Sequence, residues 1–172
     1  MNEGIVFAAL LIWQGLEDMR VNYCPTGCLE ETHVTPRMSY STGIVRSRQV
    51  FGGGEIYIRR DTGLQHGPFR SAYGVSVTDE GETWVGFGSL WEVPRKVGPF
   101  TVEFHSMPGL YFAGDGDDLG GVLEFRSGIE FAYEAKNGIR YGLSIDHRSN
   151  ADIYRNNPGM ETVQFRVSIP TR

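Results

Sequence analysis

From residue 139 onward, apolar and polar side chains alternate with a period of two. Ile139, Tyr141, Leu143, Ile145, His147 and Ser149 fall on one face of an extended chain, and Arg140, Gly142, Ser144, Asp146 and Arg148 fall on the other. The next run repeats the pattern, with Glu161, Val163, Phe165, Val167 and Ile169 opposed to Thr162, Gln164, Arg166 and Ser168. These runs predict two consecutive strands. Lys136-Asn137-Gly138, just before the first, predicts a tight hairpin turn, because Asn and Gly adopt the positive φ that such turns require.

Upstream, alternating runs cover residues 50–60, 68–78, 82–92, 100–112 and 121–134, with turns over 61–67 and at Asp79-Glu80-Gly81. Residues 4–13 are an apolar run of ten, the length of a tilted membrane strand of ~9–11 residues, although such unbroken greasiness also suits a helix. Counted as a strand, it brings the total to eight. Residues 14–48 show little periodicity and read as a long loop or irregular excursion, with room for a short strand around 38–45.

Eight strands in meander order predict an all-β fold, an antiparallel up-and-down β-barrel in one domain spanning residues 1–172. Alternation does not say which face is inside. A soluble ligand-binding barrel would put the apolar face inward, whereas an outer-membrane barrel puts it outward around a polar, salt-bridged lumen. The many Phe, Tyr and Trp on the apolar face are too bulky to converge inside eight strands, which favours the membrane form. Loop lengths agree, being longer after odd-numbered strands, with Asp79-Glu80-Gly81 the exception. The polar face, with Glu124, Arg126, Glu130, Arg140, Arg148 and Arg166, would then pair its charges across strands in the lumen.

Composition fits this reading. The 23 glycines and the 12% aromatic content suit short strands and tight turns, and a net charge of -5 makes nucleic acid an unexpected partner. Cys24 and Cys28 match neither a redox pair nor a zinc site and are read as a small disulfide of an oxidising compartment, with two free thiols as the alternative. Asp115, Asp117 and Asp118 sit in a Gly/Asp loop that lacks an ordered calcium-ligand pattern, so a solvated loop is the default. Residues 4–13 are too short for a transmembrane helix. They also lack the basic start and small-residue cleavage site of an export signal, so an exported chain would have lost that signal and left Met1 as a product of processing.

The candidate chemistry lies where the last two strands adjoin. Ser149 supplies a nucleophile, His147 two residues before it a base, and Glu161 on the neighbouring strand a carboxylate to orient the imidazole. Oxyanion donors would come from the loop that follows, from the Asn150 side chain and the backbone of Asn150, Ala151 and Asp152. All three reactive residues are expected on the lipid side near the outer leaflet, where ionisable groups are costly and usually functional. The plainer alternative makes Ser149 and Glu161 loop-edge residues and His147 an interfacial one. His66 and His105 have no serine and carboxylate in register and read as structural, with Ser106 on the face opposite His105.

The segment His147-Arg148-Ser149-Asn150-Ala151, then Asn157-Pro158-Gly159, Glu161 and a last strand ending Ile169-Pro170, resembles the lipid A 3-O-deacylase family of PagL type. Met107-Pro108-Gly109 and Phe125-Arg126-Ser127-Gly128 extend the likeness more weakly toward residue 50, and the N-terminal third has no part in it. The resemblance implies a bacterial outer-membrane serine esterase with a Ser149, His147, Glu161 triad and Asn150 near the oxyanion. Its substrate would be the 3-O-linked acyl chain of lipid A in lipopolysaccharide, with no cofactor and no metal, and a homodimer is compatible with it. One position departs from the family, since Asp152 stands where a glycine is often found. A non-catalytic small outer-membrane barrel serving integrity or adhesion, and a soluble lipid-binding barrel, are the competing readings.

Overall fold

The structure, a computed structural model, describes residues 3–47 and 50–172. Met1 lies outside the described residues, as do Arg48 and Gln49 at the end of the expected excursion. A helix α1 (Glu3–Asp18) continues into a π-helical turn (Met19–Tyr23). Nine strands follow: β1 (Glu31–His33), β2 (Arg37–Ser47), β3 (Val50–His66), β4 (Phe69–Thr78), β5 (Thr83–Glu92), β6 (Phe100–Phe112), β7 (Leu123–Glu134), β8 (Arg140–Ser149) and β9 (Met160–Pro170). Strands β2 to β9 pair antiparallel in sequence order, and pairing of β2 with β9 closes an eight-stranded barrel. The three residues of β1 only extend one end of it, against Leu64 to His66 of β3.

The barrel is polar inside and apolar outside, the inverse of a soluble ligand-binding barrel. On the outer wall Phe87 is 71% exposed and Leu143 62%, whereas Arg126 and Arg166 inside are fully buried. Their charges are paired. Glu55 accepts from Arg126 Nη1 and Nη2 at 3.0 and 2.9 Å, from Gln164 Nε2 at 2.5 Å and from Arg148 Nη2. Arg126 Nε also donates to Asp146 at 2.8 Å, and its guanidinium lies 3.8 Å from the centroid of the Tyr57 ring. Further along, Arg59 and Arg70 share Glu103, and Arg166 pairs with Glu130. Arg140 reaches Glu92 at 2.6 Å and Glu134 at 2.7 Å. Buried charges persist only where such bonds replace water, so this lattice is the barrel's core.

Three local expectations are corrected. Residues 4–13 are not the first strand but part of α1, whose buried Leu11, Gly15 and Asp18 recur at helical spacing. Helix formers not branched at Cβ, such as Ala8, Ala9, Leu10 and Leu11, favour this choice, and the helix runs on to Asp18, inside the expected excursion. It packs on the outer wall over β5 to β8, where Asp18 Oδ2 accepts from the indole Nε1 of outward-facing Trp91 at 2.9 Å. No helix among the described residues is long and apolar enough to cross a membrane.

The first barrel strand is β2, in place of the excursion's optional short strand. Because β2 is followed within a few residues by β3, residues 14–36 lie at the opposite end of the barrel from that expected, beside the turn at residues 67–68. The Cys24–Cys28 disulfide lies in this segment. Third, the turn expected over 61–67 is mostly strand, with β3 running to His66 through a register shift between Asp61 and Gln65. Asp61 Oδ1 accepts the Gly63 N–H at 3.0 Å within that irregularity.

The substitution of β2 for the apolar run leaves strand parity unchanged. Connections at residues 79–82, 113–122 and 150–159 gather at one end, and the turns at 67–68, 93–99 and 135–139 at the other. The expected hairpin at Lys136-Asn137-Gly138 forms, with Gly138 at φ 79° and Asn137 Oδ1 accepting the Ile139 N–H at 3.1 Å.

Candidate active site on the outer wall

Register decides which side chains meet. His147 of β8 lies directly opposite Glu161 of β9 and opposite Ser127 of β7, and Ser127 in turn lies opposite Ser106 of β6. On the far side of Glu161, Arg46 of β2 is its direct partner. One row of polar residues therefore crosses these five strands on the outer wall, and Ser89 of β5 and Ser71 of β4 continue it. Two of its neighbouring pairs touch: His147 Nδ1 is 3.3 Å from Glu161 Oε1, and the Ser106 and Ser127 hydroxyls are 3.0 Å apart.

Ser149 is two residues beyond His147 on the same face, at the last position of β8. His147 and Ser149 are only 5% and 4% exposed, in contrast to Leu143 lower on the same face. The neighbouring loop accounts for part of this cover. Gly159, at φ 71°, brings the chain so close that a Cβ there would stand 3.0 Å from His147 Cε1 and 3.4 Å from Nε2. Among the described residues no hydrogen bond joins the Ser149 hydroxyl to the imidazole. Resting sites often hold such pairs loosely until substrate is bound.

The three residues expected to serve the oxyanion are placed differently from one another. The Asn150 side chain is fully buried, with Nδ2 donating to the carbonyls of Leu119 at 2.9 Å and Asn156 at 2.8 Å. Both amide protons are thereby taken. Ala151 and Asp152 follow at φ 53° and 61°, two successive left-handed residues, and among the described residues their backbone N–H groups donate to no other group. The left-handed backbone gives a physical reason why glycine suits position 152. The Asp152 side chain is exposed and is held by Asn157, whose Nδ2 donates to Asp152 Oδ1 at 2.7 Å. Asn157 Oδ1 accepts the Asn150 N–H at 3.2 Å, so one side chain braces both ends of the turn.

The loop of residues 150–159 also leans on residues 113–122, a support that the alternation pattern did not indicate. Leu119 is fully buried, and the Tyr154 ring and the Asn156 carbonyl lie where Cβ atoms of Gly121 and Gly120 would be. Those paired glycines were the available signal. The same loop is tied to the hairpin at residues 79–82, where Glu82 Oε1 accepts the Asp117 N–H at 2.9 Å. Among the described residues no cluster of His, Cys, Asp or Glu could hold a metal ion.

The other histidines are apart from this site. His105 is buried in the lumen with Nε2 3.5 Å from Asp146, and Ser106 is on the opposite face. His66 is exposed, 3.4 Å from Glu31. A cavity of about 390 Å³ between Asp18, Arg37, Arg70, Glu92 and Arg140 opens at the far mouth of the barrel. It holds none of the residues of the row.

Comparison with known proteins agrees with this architecture. Among solved structures the chain is similar to the crystal structure of the outer membrane enzyme PagL, with a TM-score of 0.59 and 19% identity over 77% of this chain and 99% of that one. It is similar also to Neisserial surface protein A (NspA), with a TM-score of 0.56 and 8% identity over 83% and 99% of the two chains. A de novo designed transmembrane β-barrel gives a TM-score of 0.53 at 6% identity, covering 81% and 100%. These likenesses concern the fold. No curated protein matches the chain. Residues 48–170, which hold all eight strands except β2, match the family model described as lipid A 3-O-deacylase (PagL), and the chain belongs to that family.

Proposed function

We propose that this protein is an outer-membrane serine esterase that hydrolyses the 3-O-linked acyl chain of lipid A. The observation that carries the reading is the 3.3 Å approach of His147 Nδ1 to Glu161 Oε1, in register across β8 and β9 and two residues before Ser149. With Nδ1 turned to the carboxylate, Nε2 is the atom to exchange protons with Ser149.

In this mechanism the Ser149 hydroxyl attacks the ester carbonyl as its proton passes to His147 Nε2. Glu161 stabilises the imidazolium that forms. The backbone N–H groups of Ala151 and Asp152 take the oxyanion, since the Asn150 amide is occupied. Collapse breaks the bond to the sugar oxygen, which leaves as the 3-hydroxyl with the proton from His147. Water, activated by the same imidazole, then cleaves the acyl-enzyme and releases the fatty acid. The acyl chain would lie along the wall below Ser149, over outward-facing Ile145, Leu143, Val163 and Phe165. A substrate already in the membrane thus needs no pocket.

Mass spectrometry of lipid A from cells with and without the protein tests this. The wild type should remove one 3-linked acyl chain, and Ser149→Ala should remove none while remaining a heat-modifiable barrel. Unchanged release by Ser149→Ala would end the reading in favour of a barrel without this chemistry.

A further inference from the structure

The cation at the end of the polar row has no part in the triad. Arg46 lies on β2 directly opposite Glu161, and regular pairing of Arg37 to Ser47 with Pro170 to Met160 fixes this register along the whole strand pair. Val45 is buried inside the barrel, so by alternation Arg46 shares the outward face with Glu161. Directly opposite residues of antiparallel strands have Cβ atoms roughly 4.5–5.5 Å apart, within reach of an arginine and a glutamate.

A carboxylate on a lipid-facing wall is unfavourable unless it has a counter-charge. On β8 its neighbour is His147, which must be neutral at rest to act as a base. The other outward positions of β9 are Val163, Phe165, Val167 and Ile169, all uncharged. Among the described residues, Arg46 on β2 is therefore the permanent cation in register with Glu161. We infer that Arg46 is a positioning residue for the reaction, holding the Glu161 carboxylate in place and aimed at His147. This inference rests on the esterase reading above.

Loss of the guanidinium should leave the Glu161 carboxylate, and through it the imidazole, less firmly placed. For Arg46→Gln, kcat should fall about fivefold, the worth of an opposite-charge cross-strand pair at the top of its usual range. Arg46→Lys should restore most of the loss, and KM should change little.

The assay is release of fatty acid from lipid A in detergent micelles, with heat-modifiability checked for each variant. An active wild type with unchanged kcat in Arg46→Gln overturns the inference alone. A raised KM with unchanged kcat also overturns it, making Arg46 a contact to the substrate headgroup. If Arg46→Gln does not fold, Arg46→Met and Arg46→Lys decide: a lowered kcat in the first restored in the second supports the role, and equal kcat in the two overturns it. An inactive wild type removes the esterase reading and this inference with it.

Discussion

The side-chain amide of Asn150 donates to the main-chain carbonyl of Leu119 at 2.9 Å, joining the loop after β8 to the loop between β6 and β7. Because Glu82 in turn holds Asp117, three connections at one end of the barrel form a linked set. The strands fix His147 and Glu161 by register, but Ser149 is the last residue of its strand. Its surroundings depend on these loops.

Asn150→Ala removes the donor from two carbonyls, those of Leu119 and Asn156. Of the two, the Leu119 carbonyl is in the buried bond, and leaving one buried polar group unsatisfied costs about 1–3 kcal/mol, so equilibrium unfolding in urea should show a stability loss in that range. Turnover should fall as well, because the loop loosens. Lost turnover with unaltered stability would instead indicate direct contact of Asn150 with the reacting oxygen.

Asp152→Asn keeps a residue type that tolerates φ 61° and can still accept from Asn157, while removing a negative charge from the turn proposed to offer the oxyanion donors. For an exposed, partly screened carboxylate the expected gain in kcat is roughly two- to fivefold at low salt, shrinking as salt is added. Steady-state rates at two ionic strengths measure it. Equal rates would place the carboxylate too far from the oxyanion to matter.

Most of the barrel was legible because strands with one apolar face repeat every second residue. The predicted runs over 68–78, 82–92 and 100–112 differ from β4, β5 and β6 by at most one residue at an end. The same alternation placed His147, Ser149 and Glu161 on one face. Strand β2 was harder to read, since its inward Ser39 and Ser41 and outward Tyr40 and Thr42 offer little contrast in polarity. Helix α1 was misread because an unbroken apolar run has no period. The Asn150 to Leu119 bond joins residues that no local pattern connects.

Glu55→Gln tests whether the lumen lattice holds the barrel together. Its carboxylate accepts from Arg126, Arg148 and Gln164 in a fully buried setting. Removing one partner of a buried ion pair typically costs 3–5 kcal/mol, because the remaining charges stay desolvated. Urea unfolding from lipid vesicles should show a loss of about that size. A change below about 1 kcal/mol would mean that the arginines find other partners, such as Asp146.

Gly159→Ala separates strain from site geometry. Its φ of 71° makes any side chain unfavourable, by roughly 1–2 kcal/mol, and the added methyl would meet the His147 ring at 3.0 Å. Gly138→Ala is the matched control. That residue has φ 79° in the turn at the opposite end, where a Cβ would meet only Pro170 Cγ at 3.4 Å. Both variants should lose similar stability, yet only Gly159→Ala should lose turnover, on the order of 100-fold, as small misplacements of reacting groups commonly do. Fatty-acid release and urea midpoints measured side by side provide the comparison. If the two variants lose turnover equally, the imidazole is not held by Gly159, and its placement is set by β8 and Glu161 alone.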